Sequence, residues 1–330
     1  MDKPVIAITM GDPAGIGPEL VLKVLANSET HARCRPLVIG DPQVLMKTNE
    51  AMGAGLDLRA IEQVEEACFG PPTIDVLRPA DLQIEQVPVG KVDPAMGRAA
   101  ILCLREAYRL AMAGKVHGVA GAPINKQAMR LAGYPFHDEL EYLIDLTGSA
   151  EAHILGVVRG IWTAAVTEHV PFKDIAGLIK KESVLKHTRV LYDAMRRSGV
   201  DTPRIAVAAL NAHAGEGGQC GTEEIEEIGP AIEEARKAGI DAQGPCAADT
   251  VFVRATAGEF DGVVCMYHDQ ANIARKLLAW GKGATLFVGL PVVYGTTAHG
   301  TAFDKAGQWI CDPGSLQASL EHAASLARGR

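Results

Sequence analysis

The sequence predicts an α/β protein with a largely parallel sheet. Short apolar, β-branched runs alternate with segments of helical period along most of the chain. The runs end in turns rich in glycine, proline and small residues, as strand-to-helix crossovers do. At 330 residues the chain is long enough for two domains, or for one large domain with lobes.

The elements follow in order. PVIAITM (4–10) reads as a buried strand, and GDPAGIG makes the turn into the helical pattern LVLKVLA. Pro18 and Glu19 suit that helix's first turn, where a missing N–H costs nothing and an acid meets the positive end of the dipole. RPLVIGD (35–41) is a second strand, and residues 50–92 are mixed. RAAILCLREAYRLAMAGK (98–115) is an amphipathic helix, HGVAGAP (117–123) a strand, and INKQAMRLAG (124–133) a helix stopped by Gly133. HILGVVRG and WTAAVTEH are strands, and residues 173–199 form one or two helices. RIAVAALNAH is a strand, followed by a helix over 223–239 that Pro230 breaks. DGVVCMYH is a strand, IARKLLAWG a short helix, and SLQASLEHAASLARGR a closing helix. There is no low-complexity linker and no internal repeat.

Hydrophobic residues make up 48% and charged residues 22%, the balance of a soluble globular chain. A net charge of −8 with no long Lys/Arg run argues against nucleic-acid binding. The seven cysteines have no CxxC spacing, which argues against a disulfide framework or a cysteine-built zinc site and fits a reducing cytoplasm. The N-terminus lacks a signal-peptide pattern, and no apolar stretch approaches the roughly 18 residues of a membrane-spanning helix.

Three apolar runs end on histidine: TAAVTEH on His169, IAVAALNAH on His213 and GVVCMYH on His268. In a parallel sheet the C-terminal strand ends share one edge, where open α/β folds place their ligands. A single histidine there is more often a hydrogen-bonded boundary residue. Three in the same setting point to a divalent metal such as zinc, cobalt, manganese or iron. Asp269 and Asn211 lie near enough in sequence to support the ligands. Asp249, in AADT, is either such a support or proton-transfer group, or a helix N-cap.

Three small-residue loops remain. GDPAGIGPE (11–19) is neither a dinucleotide fingerprint nor a Walker A loop. LNAHAGEGG (210–218) offers backbone N–H groups to an anion, and GTTAHGTAFDKAG (295–307) surrounds His299 and Asp304 with small residues that let a ligand lie against the backbone.

Taken together, MGDPAGIGPE, GAPINK, NAHAGEGG, YHDQ, GLP and HGTAFDKAG, in this order across nearly the whole chain, resemble the 4-hydroxythreonine-4-phosphate dehydrogenase family of vitamin B6 biosynthesis. That family has relatives acting on phospho-threonate and on carboxylated aromatic cis-dihydrodiols. The resemblance implies a two-lobed α/β/α fold of the isocitrate/isopropylmalate dehydrogenase type, with largely parallel sheets and a central cleft. Lobes of 1–128 with 285–330, and of 129–284, are expected, the second carrying the metal and the dimer contact. It further implies a cytoplasmic homodimer with its active site near the interface. NAD would be bound in part by His299, Gly300, Thr301 and Ala302, with Asp304 in the same loop. A divalent metal (zinc, cobalt, manganese or magnesium) would be held by His169, His213 and His268. Lys276 matches a substrate-binding lysine; it would neutralise the substrate anion or donate a proton.

The phosphate-binding part of the pattern departs from the family. AGYPFHDELEYL replaces a stretch that usually ends in GHTE. Without gaps the His-Thr pair falls on Glu139 and Leu140; with a two-residue deletion His137 and Glu139 match and the threonine becomes Asp138. An acid there repels a phosphate dianion. Thr285 and Tyr294 stand where the family has Asn and Arg, and the lost guanidinium removes a bidentate partner. Arg275 or Lys126 could rebuild the site. The implied chemistry is NAD-dependent oxidation of a secondary alcohol β to a carboxylate, with decarboxylation, on a substrate other than 4-phosphohydroxythreonine, such as a non-phosphorylated hydroxy acid or an aromatic cis-dihydrodiol carboxylate. Two rival readings are a metal-dependent hydrolase or lyase without NAD, and a non-catalytic ligand-binding descendant.

Overall fold

The apolar run VIAIT forms β1 (Val5–Thr9), buried along its whole length, as a central strand covered on both faces must be. The structure, a computed structural model, describes residues 3–70 and 73–328. It divides into two compact units, one of residues 3–152 and 284–328, the other His153–Gly283.

In the first unit the chain continues through α1 (Gly17–Ala26), α2 (Ser28–Arg33), β2 (Arg35–Ile39), α3 (Pro42–Met52), β3 (Asp57–Ile61), β4 (Thr73–Leu77), α4 (Pro94–Met112), β5 (Gly118–Gly121), α5 (Lys126–Leu131) and α6 (Glu139–Thr147). Five of its helix starts are set by side-chain caps, three of them as follows. Asp41 accepts from the N–H groups of Gln43 and Val44, Asp93 from those of Ala95 and Met96, and Asn125 from that of Ala128. The Asp93 cap, followed by proline, starts α4 four residues before the helix read from periodicity.

The second unit holds β6 (His153–Val158), β7 (Ile161–Thr167), α7 (Ile175–Leu178), α8 (Lys181–Arg197), β8 (Arg204–Ala208), α9 (Gly229–Lys237), β9 (Asp241–Cys246), α10 (Val251–Thr256), β10 (Gly262–Tyr267) and α11 (His268–Leu278). Its sheet runs β6-β7-β10-β8-β9, parallel except for the β6–β7 hairpin. A core of Ala206, Val251, Phe260, Val263 and Cys265 lies under α10 and α11. The chain then returns to the first unit as β11 (Ala284–Val288), β12 (Tyr294–Thr297) and α12 (Gly314–Arg328). There the sheet order is β3-β4-β2-β1-β5-β12-β11, antiparallel only at β11–β12.

The α/β class with largely parallel sheet is therefore as read, but several boundaries differ. The first unit keeps the chain to Ala152, not to 128, because α5 packs on α4; it regains it at Ala284, which pairs with Thr297. RIAVAALNAH is strand only to Ala208. Pro230 does not break a helix: a π-helical turn, Glu224–Ile228, precedes it and the proline sits in the first turn of α9. His268 opens α11 and does not end β10.

Candidate functional site

Pairing register brings two of the three histidines together. β7 and β10 are parallel with Thr167 opposite Tyr267, so the residues that follow each strand emerge level with one another. Thr167 Oγ1 ties the two ends by donating to the Met266 carbonyl at 2.8 Å. The rings of His169 and His268 lie 5.4 Å apart between centroids. Glu168, which sequence reading passed over, joins them: donor atoms of Glu168, His169 and His268 all lie within 4.8 Å of one another. Two imidazoles and a carboxylate are a donor set suited to a divalent ion. Asp269 Oδ1 lies 2.7 Å from His268 Nδ1; an N–H donated there would fix the tautomer and leave Nε2 able to accept a metal ion.

His213 is not in this group. β8 ends at Ala208, and the following turn runs through six successive residues, His213 to Gly218, all at positive φ. Left-handed backbone is unfavourable for non-glycine residues, here His213, Ala214 and Glu216. Glu224 anchors the start of the turn: Oε1 accepts from the N–H groups of Leu210 and Asn211 at 2.9 and 2.8 Å, and Oε2 accepts from Asn211 Nδ2. Asn211 therefore serves the turn and no imidazole. The His213 side chain is 69% exposed, with Nδ1 at 2.6 Å from Glu216 Oε1. Gln270 clasps the neighbouring strand ends, accepting from Met266 N and donating to the Ala209 carbonyl.

Lys276 is exposed on α11. Its neighbour Arg275 is half-buried, and its guanidinium lies where a Cβ on Gly156 would come within 2.0 Å of Cζ. Burial pushes the Arg275 pKa down, and the Glu168 charge opposes that shift. Asp249 is exposed and caps nothing: Thr250 holds the N-cap position of α10, and the N–H groups of Thr250 and Val251 go to the Ala247 carbonyl. This corrects the capping alternative for Asp249.

In the first unit two motif loops far apart in sequence meet. Ile16 N donates to Thr301 O at 3.1 Å, and a Cβ on Gly15 would lie 2.8 Å from Thr301, so the approach requires glycine. Asn125 Nδ2 lies 3.5 Å from Thr301 Oγ1. Glu19, fully buried, accepts from Cys311 N and from Lys23 Nζ, which also donates to the carbonyls of Trp309 and Cys311; together they pin the far end of the loop. His299 Nδ1 lies 3.0 Å from Gly300 O, Ala302 has a φ of 41°, and Asp304 is exposed. Asp12 Oδ1 accepts from Ala14 N, whereas Oδ2 is buried with no partner among the described residues. Burial, opposed by the Ala14 bond, raises its pKa to about 6. Beside these loops a cavity of about 500 Å³, lined by Pro13, Gly15, Gln43, Lys47, Glu85 and Trp309, is of small-ligand size.

The same unit holds the residues matched to the phosphate grip. Asp138 caps α6, its Oδ1 accepting from Glu141 N at 3.0 Å. His137 is exposed and Leu140 half-buried. Glu139 is buried, and burial raises its carboxyl to about 6, opposed by Lys126. Tyr294 is fully buried between Phe287 and Tyr108, and its hydroxyl has no hydrogen-bond partner among the described residues. A Cβ on Gly121 would lie 1.9 Å from that oxygen, so glycine is what admits the ring. Burial and the Glu139 charge both drive the Tyr294 pKa well up. Thr285 pairs with Thr296 across β11–β12.

Residues 32–323 match the family described as pyridoxal phosphate biosynthetic protein PdxA. The D-threonate 4-phosphate dehydrogenase of Cupriavidus necator is 42% identical over 330 residues, covering 99% of this chain and 98% of the relative. A solved 4-hydroxythreonine-4-phosphate dehydrogenase from Burkholderia phymatum is 38% identical, with a TM-score of 0.85 over 99% of both chains. The terephthalate 1,2-cis-dihydrodiol dehydrogenase of Burkholderia xenovorans LB400 is 28% identical, with a TM-score of 0.68 over 98% of both chains. With its relatives named as dehydrogenases and the match running almost end to end, the chain belongs to the PdxA family of oxidoreductases.

Proposed function

We propose that this chain is an NAD-dependent, divalent-metal-dependent dehydrogenase that oxidises a secondary alcohol β to a carboxylate, with loss of CO2, on a substrate other than 4-phosphohydroxythreonine. The strongest support for metal-assisted chemistry is the meeting of Glu168, His169 and His268. The contact between the GDPAGIG and HGTA loops, beside a cavity of about 500 Å³, supports dinucleotide binding. The dehydrogenase names of the relatives favour NAD chemistry over hydrolysis.

His169 and His268 would hold the metal, His268 oriented by Asp269. When bound, the metal would lower the pKa of the substrate alcohol, and NAD would take the hydride. Lys276, exposed on α11, would supply positive charge for a substrate carboxylate. A β-keto acid loses CO2 readily, because its electrons delocalise into the adjacent carbonyl.

The substrate proposal rests on Glu139 and Tyr294, a buried acid and a buried phenol where a phosphate would need cations. Of the matched positions none is basic except the exposed His137; Lys126, near Glu139, is the cation that would favour a phosphorylated substrate, as the Cupriavidus relative's name describes. NADH formation should be measured with 4-phosphohydroxythreonine, D-threonate 4-phosphate, non-phosphorylated hydroxy acids and dihydrodiol carboxylates, with divalent metal added. Turnover on the non-phosphorylated compounds is expected. Turnover confined to the phosphorylated ones overturns the substrate proposal, and metal-dependent cleavage of a substrate with no need for NAD would favour the hydrolase or lyase reading.

We further propose a cytoplasmic homodimer. Ile273 and Leu277, at i and i+4 on α11, are exposed at 60 and 82%, and Trp280, in the turn just past the helix end, at 79%. All seven cysteines are free, which supports a reducing compartment, and no helix among the described residues is long and apolar enough to cross a membrane.

A further inference from the structure

We propose that Thr9, Glu139 and Tyr294 form a pocket for an uncharged hydroxyl end of the substrate, so that the compound oxidised is a polyhydroxy acid and not its phosphate ester. This rests on the reading above that the substrate is not phosphorylated, and names its class.

Strand register assembles the pocket. Gly121 pairs with Thr9 on β1 and with Thr296 on β12, so the side-chain positions of all three share one face of the sheet. Tyr294, two residues before Thr296, lies on the same face. β1, β5 and β12 run parallel, and Thr9, Gly121 and Thr296 stand at or next to their carboxyl ends. That is the edge at which open α/β sheets place their ligands. The Tyr294 hydroxyl occupies the space a Gly121 side chain would take, next in register to Thr9.

Two hydroxyls here are buried and unpaired. Thr9 Oγ1 and Tyr294 Oη have no hydrogen-bond partner among the described residues, and both residues are 0% exposed. Buried polar groups are rarely left so, because desolvation then goes uncompensated. Thr296 Oγ1 donates to the Gly121 carbonyl at 3.4 Å. Glu139, the first residue of α6, is close enough for its charge to act on the Tyr294 hydroxyl. It keeps 8% exposure, and so is the group an entering ligand meets first.

The groups select a hydroxyl over its charged alternatives. An alcohol donates to the Glu139 carboxyl and accepts from the phenol or the threonine, which satisfies both sides. A phosphate dianion only accepts, and Glu139 repels it. An ammonium only donates, and it would meet Lys126, whose charge already acts on Glu139.

The test is NADH formation by the full-length protein, with Mn2+ added, on D-threonate and D-erythronate and on the 4-phosphate of each. Within each pair the compounds differ only in hydroxyl against phosphate at one carbon. Wild type, Thr9→Val, Glu139→Gln and Tyr294→Phe are compared. A wild-type kcat/KM higher for the free acids by roughly 10-fold or more is expected. Tyr294→Phe and Thr9→Val should each raise KM for the free acids by roughly 10-fold, with kcat changed by less than about 3-fold. Glu139→Gln should narrow the preference over the phosphate esters, since the repulsion goes with the charge. Circular dichroism separates these effects from loss of fold, and Tyr294→Phe decides the matter if Glu139→Gln does not fold. Turnover on dihydrodiol carboxylates with none on the polyhydroxy acids overturns this inference and leaves the non-phosphorylated reading standing. Turnover confined to the phosphate esters overturns both. Unchanged KM in all three variants, or no NADH from any of these compounds, overturns the pocket.

Discussion

Glu139 shows how one buried side chain carries a measurable consequence. Its pKa rises from 4.5 to about 6 because burial disfavours the charged form more than Lys126 favours it. A carboxyl whose native pKa lies above its unfolded one is an asset while neutral in both states, below pH 4.5. That contribution is lost as pH rises through about 6. The shift corresponds to about 2 kcal/mol. Glu139→Gln should therefore unfold with a shallower loss of stability between pH 4.5 and 7 than the wild type, read from denaturant midpoints at each pH. Part of the slope will remain, since Asp12 shifts in the same direction. Identical slopes in the two proteins would show that Glu139 is not desolvated. Tyr294→Phe tests the neighbouring oxygen. A buried hydroxyl without a partner costs about 1–3 kcal/mol of desolvation, so its removal should leave stability unchanged or raise it by about 1 kcal/mol. A fall in the melting temperature would show that the hydroxyl does have a partner. Neither burial was legible in the sequence, where Glu139 and Tyr294 read only as departures from a phosphate grip.

At the scale of elements, what sequence could show was the strand and what it could not was the strand's end. Apolar runs marked β7, β8 and β10, yet their last residues depend on contacts from afar. β8 stops because beyond Ala209, whose N–H still reaches Cys246 O at the end of β9, the next N–H groups are taken by the Glu224 carboxylate, fourteen residues beyond Leu210. The displacement of His213 follows from that, as does the inclusion of Glu168 from a turn at the end of β7. Glu224 is accordingly the keystone of the NAHAGEGG turn. Glu224→Ala removes three hydrogen bonds to Leu210 and Asn211, and charge-assisted bonds contribute about 1.5–3 kcal/mol each before relaxation and water compensate. A net loss of about 2–4 kcal/mol is expected, with faster amide exchange at Leu210 and Asn211 than elsewhere in the unit. Unchanged exchange at those two amides would mean the turn is held by something else. Helices show the same division: the α4 face was plain from periodicity, but its start needed the Asp93 cap, and α6 went unread because its cap, Asp138, was taken for a ligand-facing acid.

For the whole molecule, the class of fold and the order of motifs could be read because they are properties of pattern. The division at Ala152 could not, since it is set by α5 packing on α4 and by β11 pairing with β12. Assembly belongs to the same level. Exposed residues of a helix are expected to be polar, and α11 instead exposes Ile273 and Leu277, with Trp280 exposed in the turn that follows it. Burying a leucine and a tryptophan from water is worth several kcal/mol on each copy, which would make them the apolar centre of a larger contact and not the whole of it. Sedimentation velocity of the full-length protein should therefore give a species near twice the 34.9 kDa chain mass. Leu277→Asp with Trp280→Asp should move it to the monomer while leaving the circular dichroism spectrum intact, because neither side chain supports the fold of its own unit. A dimer that survives the double substitution would place the contact on another face. A wild-type monomer would leave the stripe as a surface for some other partner and remove the homodimer from the proposed function.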